Sequence, residues 1–196
     1  MKKGLYLLAL LTLFSLSACG QVETPDLAKR PDIQAKPLEN TEKVDVDEVV
    51  PNFGNGLFYF AYGSNMSLAR MTERCGKENF VDLGKAKLPG YSFYFYGRGH
   101  ANIRPMASQT IEGVLFQIQD SCLQNLDQVE GYPNIYQRKS VKITWKNTNV
   151  LAQAYIVEKD QTLAKPSPEY YQTVLSGAEE HDLSEGYIQY IKDLAE

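Results

Sequence analysis

The segment from residue 59 to residue 66, YFAYGSNM, has the residue types of an anion-binding turn. Aromatic and apolar residues at 57–62 are typical of a buried strand, and the segment 67–75 places apolar side chains at helical spacing. Gly63 lies at the junction, where a missing Cβ permits unusual backbone angles and close approach of a ligand. We expect the amides of residues 64–66 to be unpaired at a helix N-terminus and to stabilise a carboxylate or an oxyanion. An ordinary helix cap is the alternative interpretation.

Four segments, in order along the chain, resemble the γ-glutamylcyclotransferase family. YFAYGSN at 59–65 resembles the signature of that family, and LDQVEGY at 126–132 resembles the segment that carries its catalytic glutamate. PSPEY at 166–170 and GAEEHDL at 177–183 resemble the family's C-terminal helical part. The resemblance implies a domain of this family over residues 57–196.

The chemistry implied by this resemblance uses a nucleophile that belongs to the substrate. The free α-amino group of a γ-glutamyl compound attacks its own side-chain carbonyl, which forms the lactam 5-oxoproline and expels an amine. Such a site needs a base, donors for the oxyanion and a shape that bends the substrate. By the resemblance Glu130 is this base and later returns the proton to the leaving amine, and partial burial would suit it to the task. An exposed acid at the end of a helix is the alternative.

The resemblance also implies a set of substrate-binding residues around the turn. The backbone of residues 59–64 would line the pocket, and the amides of residues 63–65 would bind either the substrate α-carboxylate or the γ-oxyanion. For Tyr170, which lies at the start of a later predicted helix, a role in packing is the alternative. The predicted substrate-binding residues are Tyr59, Phe60, Ala61, Tyr62, Gly63, Ser64, Asn65 and Tyr170.

One segment departs from the family pattern. Relatives tend to carry paired glycines before Ala-x-Ile, whereas this chain has Arg98, Gly99 and His100 before Ala101. Two interpretations remain open: the two basic residues form a solvated strand edge, or they narrow the pocket and alter specificity. The departure bears on the substrate more than on the reaction.

The elements that must position these residues follow from the apolar pattern. Strands are predicted at 57–62, 80–87, 92–96, 101–104, 111–119, 136–145 and 151–157, and helices at 67–75 and 120–129. Two helices close the chain, the first capped by Ser167 with Pro168 at its first position, the second capped by Asp182 or Ser184. Their predicted inner faces are Tyr171, Val174, Leu175 and Ala178, then Tyr187, Ile191 and Leu194. Many strands with few helices predict an α+β domain, and the resemblance implies a small, partly closed β-barrel flanked by helices.

Residues 1–18 are typical of a lipoprotein signal peptide. Lys2 and Lys3 precede the apolar residues 5–16, and LSAC, which ends at Cys19, resembles a bacterial lipobox. The apolar stretch is too short for an ordinary membrane-spanning helix. We expect lipidation of Cys19 to anchor an exported protein to a membrane, at the outer-membrane or periplasmic face in a cell with two membranes and at the surface otherwise. A plain signal peptide and an uncleaved anchor are the alternatives.

The segment 19–56 begins with this cysteine and continues as a predicted disordered tether. It is rich in proline and mixed charge and poor in aromatic residues, so it cannot bury enough apolar surface to offset its ordering entropy. The remaining residues suit one domain. The full chain has a net charge of −4, and loss of the two N-terminal lysines would make it more acidic. This charge balance argues against nucleic acid as a partner.

Cys75 and Cys122 are the remaining cysteines. Export makes a disulfide chemically possible, but positions in two separate predicted helices do not show that they meet. Two distant histidines and isolated cysteines lack metal-ligand spacing, so no metal site and no cofactor are expected. The expected partners are a small γ-glutamyl substrate and, through the anchor, a membrane.

The expected function is that of a membrane-tethered cyclotransferase that releases 5-oxoproline from γ-glutamyl amino acids, amines or peptides. A second hypothesis keeps this chemistry but uses it to deprotect a γ-glutamylated metabolite. A third, of a different class, is a non-catalytic lipoprotein that binds γ-glutamyl compounds. Glu130 argues against the third hypothesis, because a binder has no need of a buried carboxylate.

Overall fold

The computed structural model describes residues 56–159 and 162–196, so the expectations for the signal peptide, Cys19 and nearly all of the tether lie outside the described residues. The strands and α-helices of this part of the chain follow one another in the order β1 (Leu57–Ala61), α1 (Leu68–Cys75), β2 (Phe80–Tyr96), β3 (His100–Ile118), α2 (Asp120–Glu130), β4 (Gln137–Trp145), β5 (Thr148–Ile156), α3 (Pro168–Glu180) and α4 (Glu185–Ala195). Among these described helices, none has the length and apolar character needed to cross a membrane.

The strands close into a barrel in the order β1-β3-β2-β4-β5. β1 runs antiparallel to β3 on one side and pairs in parallel with β5 on the other, where Tyr59 lies opposite Gln153. The long β2–β3 ladder shifts register between Asp82 and Gly84, and such bulges bend and twist long strands. The α+β barrel prediction is therefore confirmed, and the ring of strands is complete.

The two longest strands join segments that the sequence predicted as separate strands. The predicted strands 80–87 and 92–96 are both parts of β2, and 101–104 and 111–119 are both parts of β3. Residues 105–110 are exposed, so the apolar pattern stops there. Of these residues only Pro105 and Thr110 pair with β2, across a register shift between Pro89 and Tyr91. The pattern reports burial, whereas β3 continues through this exposed segment.

The C-terminal helices begin as predicted. The Ser167 hydroxyl accepts a hydrogen bond from the Tyr170 amide, and Pro168 is the first residue of α3. Ser184, one of the two predicted caps, caps α4 by accepting from the Tyr187 amide.

Most of the predicted inner faces of these helices are buried. Val174, Leu175 and Ala178 are buried on α3, as are Tyr187 and Ile191 on α4. The exceptions are Tyr171, which is half-buried, and Leu194, which is 36% exposed. The prediction is wrong for Leu194 because that residue lies in the last helical turn, where packing is least complete.

Cys75 and Cys122, whose pairing the sequence left open, form a disulfide. It links the last residue of α1 to the first turn of α2. The helix that follows the turn and the helix that ends at Glu130 are therefore covalently joined.

Candidate active site

The predicted strand, turn and helix are present, but the turn itself differs from the expectation. Residues 64–66 form a short 3-10 helix, and α1 begins only at Leu68, after the cap Ser67. The amide of Met66 donates to the Gly63 carbonyl at 3.0 Å, so the prediction that this amide is unpaired is wrong. The amides of Gly63 and Asn65 have no partner among residues 56–159 and 162–196.

Gly63 is required for space rather than for an unusual backbone angle. Its φ is −119°, outside the left-handed region that favours glycine, so the expectation of a special conformation is wrong. A Cβ at this position would lie 2.8 Å from the Ala101 Cβ and 3.3 Å from the Tyr170 hydroxyl oxygen. The absence of a side chain therefore lets the turn approach β3 and α3.

A cavity of about 250 Å³ lies beside this turn. Glu130 and Tyr170 line it together with the predicted residues Tyr59, Tyr62, Gly63, Ser64 and Asn65. Phe60 and Ala61 are buried in the core and are not among its lining residues. The ring of Phe60 instead packs close to Gly113 of β3, where an added Cβ would lie 2.7 Å from it.

Glu130 is the acidic residue of this lining. Its Oε1 accepts hydrogen bonds from Arg74 Nη1 and Asn65 Nδ2, both at 3.0 Å. Its Oε2 has no partner within the described part of the chain. The side chain is only 15% exposed, and burial raises the pKa of Glu130 above its ordinary value of 4.5 although Arg74 and Asn65 oppose the shift.

A small network fixes the orientation of this carboxylate. Asn65 Nδ2 also donates to the Tyr59 hydroxyl at 2.7 Å, and Arg74 Nη1 donates to Asn65 Oδ1. Arg74, like Glu130, is largely shielded from solvent, since its side chain is 17% exposed. The middle of β1, the turn, α1 and the end of α2 thus each contribute one member.

Tyr170 connects α3 to β3 on the other side of the cavity. Its hydroxyl oxygen accepts the Ala101 amide at 3.1 Å, and the Tyr136 hydroxyl donates to the Ala101 carbonyl at 2.8 Å. The His100 ring, which lines the cavity, packs edge-to-face against the Tyr170 ring with centroids 5.3 Å apart. Arg98 is exposed and does not line the cavity, so of the two departures from the family pattern His100 alone borders the pocket.

Comparison with known proteins agrees with this geometry. The family described as gamma-glutamyl cyclotransferase, AIG2-like, matches residues 59–173. The chain belongs to this family. It is 26% identical over 149 residues to the gamma-glutamylcyclotransferase of Mus musculus, and the aligned region covers 71% of this chain and 79% of the mouse protein. It is 27% identical over 146 residues to that of Homo sapiens, with 68% and 76% covered.

A solved structure described as a gamma-glutamyl cyclotransferase has the same fold. It superimposes with a TM-score of 0.65 at 25% identity and covers 70% of this chain and 86% of the other. The crystal structure of YkqA from Bacillus subtilis gives a TM-score of 0.66 at 27% identity, with 72% of this chain and 54% of YkqA covered. The barrel with its surrounding helices is therefore the fold of the γ-glutamylcyclotransferase family.

Sequence reasoning missed Arg74 in this member of the family. Arg70 and Arg74 are four residues apart in the predicted helix that follows the turn, so they share a helix face, and both line the cavity. That spacing was the available signal. It shows which helix face carries positive charge, but it does not show that Glu130 lies opposite.

The tyrosines of the cyclotransferase-family cavity provide neutral polar groups. Burial raises the pKa of Tyr59, Tyr62 and Tyr170, and the nearby Glu130 adds to each shift. The phenols therefore stay protonated at neutral pH and act as hydrogen-bonding groups rather than as bases. Within the described residues no three His, Cys, Asp or Glu side chains lie close enough to bind a metal ion.

Proposed function

We propose that the protein cyclises γ-glutamyl compounds, releasing 5-oxoproline and a free amine, with Glu130 as the general acid and base. One observation carries the proposal: Glu130 has a raised pKa, one oxygen held by Arg74 and Asn65, and a second oxygen without a protein partner beside a cavity. The names of the mouse and human relatives agree with it.

The proposed reaction begins with proton transfer from the substrate α-ammonium group to Glu130 Oε2. The resulting neutral amine attacks the γ-carbonyl carbon and closes the five-membered ring. The bond between that carbon and the leaving nitrogen then breaks as Glu130 returns its proton to the departing amine. The ring nitrogen, which still carries two hydrogens after the attack, loses one of them to this amine, so the products are the neutral lactam and an ammonium ion. A carboxylate with a raised pKa suits both transfers, because it accepts and releases a proton closer to neutral pH.

The turn would supply the polar donors for this reaction. The amides of Gly63 and Asn65 are unpaired within the described residues, and both residues line the cavity. Amides in this setting stabilise either the substrate α-carboxylate or the oxyanion that develops on the γ-carbonyl oxygen. The fixed network around Asn65 reduces the reorganisation needed when charge develops.

A non-catalytic role in binding γ-glutamyl compounds is the alternative. A binding protein would gain from an ionised carboxylate opposite the substrate ammonium group, whereas the burial that raises the pKa of Glu130 disfavours this ionised form and suits proton exchange. The site therefore favours the catalytic proposal.

The proposal is tested with matched substrates. A free-amine γ-glutamyl dipeptide should yield 5-oxoproline, and its N-acetylated form should yield none, because an amide nitrogen with a delocalised lone pair is a poor nucleophile. Acetylation also removes the positive charge that would face Glu130. Comparable release of lactam from both compounds would show that the substrate amine is not the nucleophile.

We also propose that the protein is exported and anchored by a lipid at Cys19. The support is the lipobox-like sequence LSAC together with the disulfide between Cys75 and Cys122, because disulfides persist mainly in oxidising compartments. Because the proposed mechanism requires a free α-amine, only γ-glutamyl fragments with that amine free would serve as substrates in a bacterial envelope.

A further inference from the structure

Two large apolar side chains are exposed on either side of Glu130. Val129 is 51% exposed and Ile135 is 59% exposed, and both line the cavity. Val129 directly precedes Glu130, and Ile135 packs over the adjacent Gly131, where an added Cβ would lie 2.8 Å from Ile135 Cδ1. Together they form an apolar rim, Val129 and Ile135, at the cavity mouth.

The backbone holds this rim in place. α2 ends at Gly131, whose φ of 65° is left-handed, and the amides of Asn134 and Ile135 both donate to the Gly131 carbonyl, at 2.8 and 2.9 Å. Val129 lies in the last turn of α2. On this backbone both side chains are exposed, so their apolar surface remains in contact with water until a ligand covers it.

The proposed chemistry indicates which part of a substrate reaches the rim. The cavity of about 250 Å³ is lined by Glu130 together with Val129 and Ile135. Because Glu130 returns the proton to the leaving nitrogen, the leaving group must begin within reach of Glu130. Its side chain would then extend past the two rim residues.

We propose that Val129 and Ile135 are specificity-determining residues that bind an apolar leaving group. This inference rests on the proposed cyclisation and names the class of leaving group that the same site accepts. An apolar side chain on the departing amine covers the rim and removes apolar area from water, whereas a polar side chain of the same shape loses hydration without finding a partner.

The test compares γ-glutamyl-leucine with γ-glutamyl-asparagine, whose leaving groups have similar shapes and different polarity. For the full-length protein we expect kcat/KM, measured by 5-oxoproline release, to favour the leucine compound about tenfold, as expected for part of an apolar side chain leaving water. The double variant Val129→Thr/Ile135→Thr should reduce this ratio to about two.

Leu151→Thr is the matched control, because Leu151 is 67% exposed on β5 and does not line the cavity. Its ratio of kcat/KM for the leucine compound to kcat/KM for the asparagine compound should equal that of the parent. A parent ratio near one, or a double variant that keeps the parent ratio, would overturn the inference while leaving the proposed cyclisation intact. Release of 5-oxoproline from neither compound would overturn the proposed function and this inference with it.

Discussion

At the scale of single residues, the properties of Glu130 are set by neighbours that are distant in sequence. Burial raises its pKa, and the two hydrogen bonds at Oε1 oppose that shift while they fix the plane of the carboxylate. Arg74 and Asn65 thus favour the ionised form that a base requires. The result is a carboxylate that can exchange a proton and has a defined direction.

Glu130→Gln should fold like the parent and lose roughly 10²- to 10⁴-fold in kcat, since the amide keeps the shape of the side chain and cannot accept the proton. The measurement is 5-oxoproline release from a γ-glutamyl dipeptide, with circular dichroism as the check on folding. Glu169→Gln, at an exposed glutamate in the first turn of α3, is the matched control and should leave kcat unchanged. Equal turnover in Glu130→Gln and the parent would rule out the proposed role.

Gly63→Ala tests whether this glycine is required for space. The added Cβ would meet the Ala101 Cβ at 2.8 Å, and such overpacking costs about 1–3 kcal/mol of the free energy of unfolding. The second substitution Ala101→Gly removes the colliding group, so the double variant should recover part of the lost stability in urea unfolding. If Ala101→Gly lowers the free energy of unfolding by the same amount in Gly63→Ala as in the parent, the contact with Ala101 is not the reason for glycine at position 63.

At the scale of elements, α3 braces the turn that carries Asn65. Gly177 packs so closely that an added Cβ would lie 2.5 Å from the Ser67 amide nitrogen and 2.7 Å from the Met66 carbonyl carbon. Near the end of the same helix, Glu180 accepts the Leu68 amide at 3.0 Å. Tyr170 near the start of α3 reaches the opposite wall of the cavity. Movement of this helix would therefore disturb two walls at once.

The disulfide should contribute to the stability of the helix pair α1 and α2. Cys75 and Cys122 are 47 residues apart, and the chain-entropy account gives about 4 kcal/mol for a loop of that length. The variant Cys75→Ser/Cys122→Ser should lose about 2–4 kcal/mol in denaturant unfolding. The parent should lose a similar amount in a reducing agent, and the double variant should be insensitive to it. An equal response of both proteins to reduction would contradict the assignment.

His181 should make stability depend on pH through the contact between α3 and β2. Its Nδ1 lies 2.8 Å from the Gly177 carbonyl oxygen and its Nε2 3.1 Å from Asp82 Oδ2, so only the doubly protonated ring donates to both. Burial opposes this charge, but the two hydrogen bonds outweigh it and raise the pKa of His181 above 6.5. Burial also opposes the Asp82 charge, yet His181 and the Gly84 amide lower the pKa of Asp82 below 3.8.

The sign of the effect follows from these directions. The His181 contribution is fully present below about pH 6.5 and is lost as pH rises through the raised pKa, whereas the Asp82 contribution is lost as pH falls through the lowered pKa. Urea unfolding of the parent should therefore show a loss of stability above pH 6.5 that His181→Gln lacks. His100→Gln, at an exposed histidine, is the control and should retain the parent's pH dependence. Identical slopes in His181→Gln and the parent would refute the assignment.

At the scale of the whole molecule, the proposed anchor residue is not among the residues that line the cavity. The cavity is built from residues 59–170, whereas Cys19 lies outside the described residues. Cys19→Ser should therefore release the protein from the membrane fraction without changing kcat/KM of the purified protein. Cell fractionation followed by a salt wash gives the measurement. A variant that stays with the membrane through the wash would show that lipidation is not what anchors the chain.

Local features of the fold could be predicted from the sequence. The strand–turn–helix segment, the start of α3 at Ser167 and Pro168 and the buried faces of α3 and α4 depend on residues a few positions apart, and their patterns repeat with the period of the element. The four resembling segments similarly predicted an α+β barrel, which the fold confirms. The local pattern failed at residues 105–110, where exposure interrupts the alternation within a continuous strand.

The sequence by itself determined the residues available for chemistry and the elements that carry them, since these follow from side-chain type and local periodicity. Only the tertiary structure decided which residues meet: Arg74 with Glu130 across 56 positions, Asn65 with Glu130 across 65, and Cys75 with Cys122 across 47. It also decided that Gly63 is needed against Ala101 rather than for its own backbone angle. These contacts depend on how the closed barrel and its helices pack, and pairings between distant residues leave no periodic signal in a single chain.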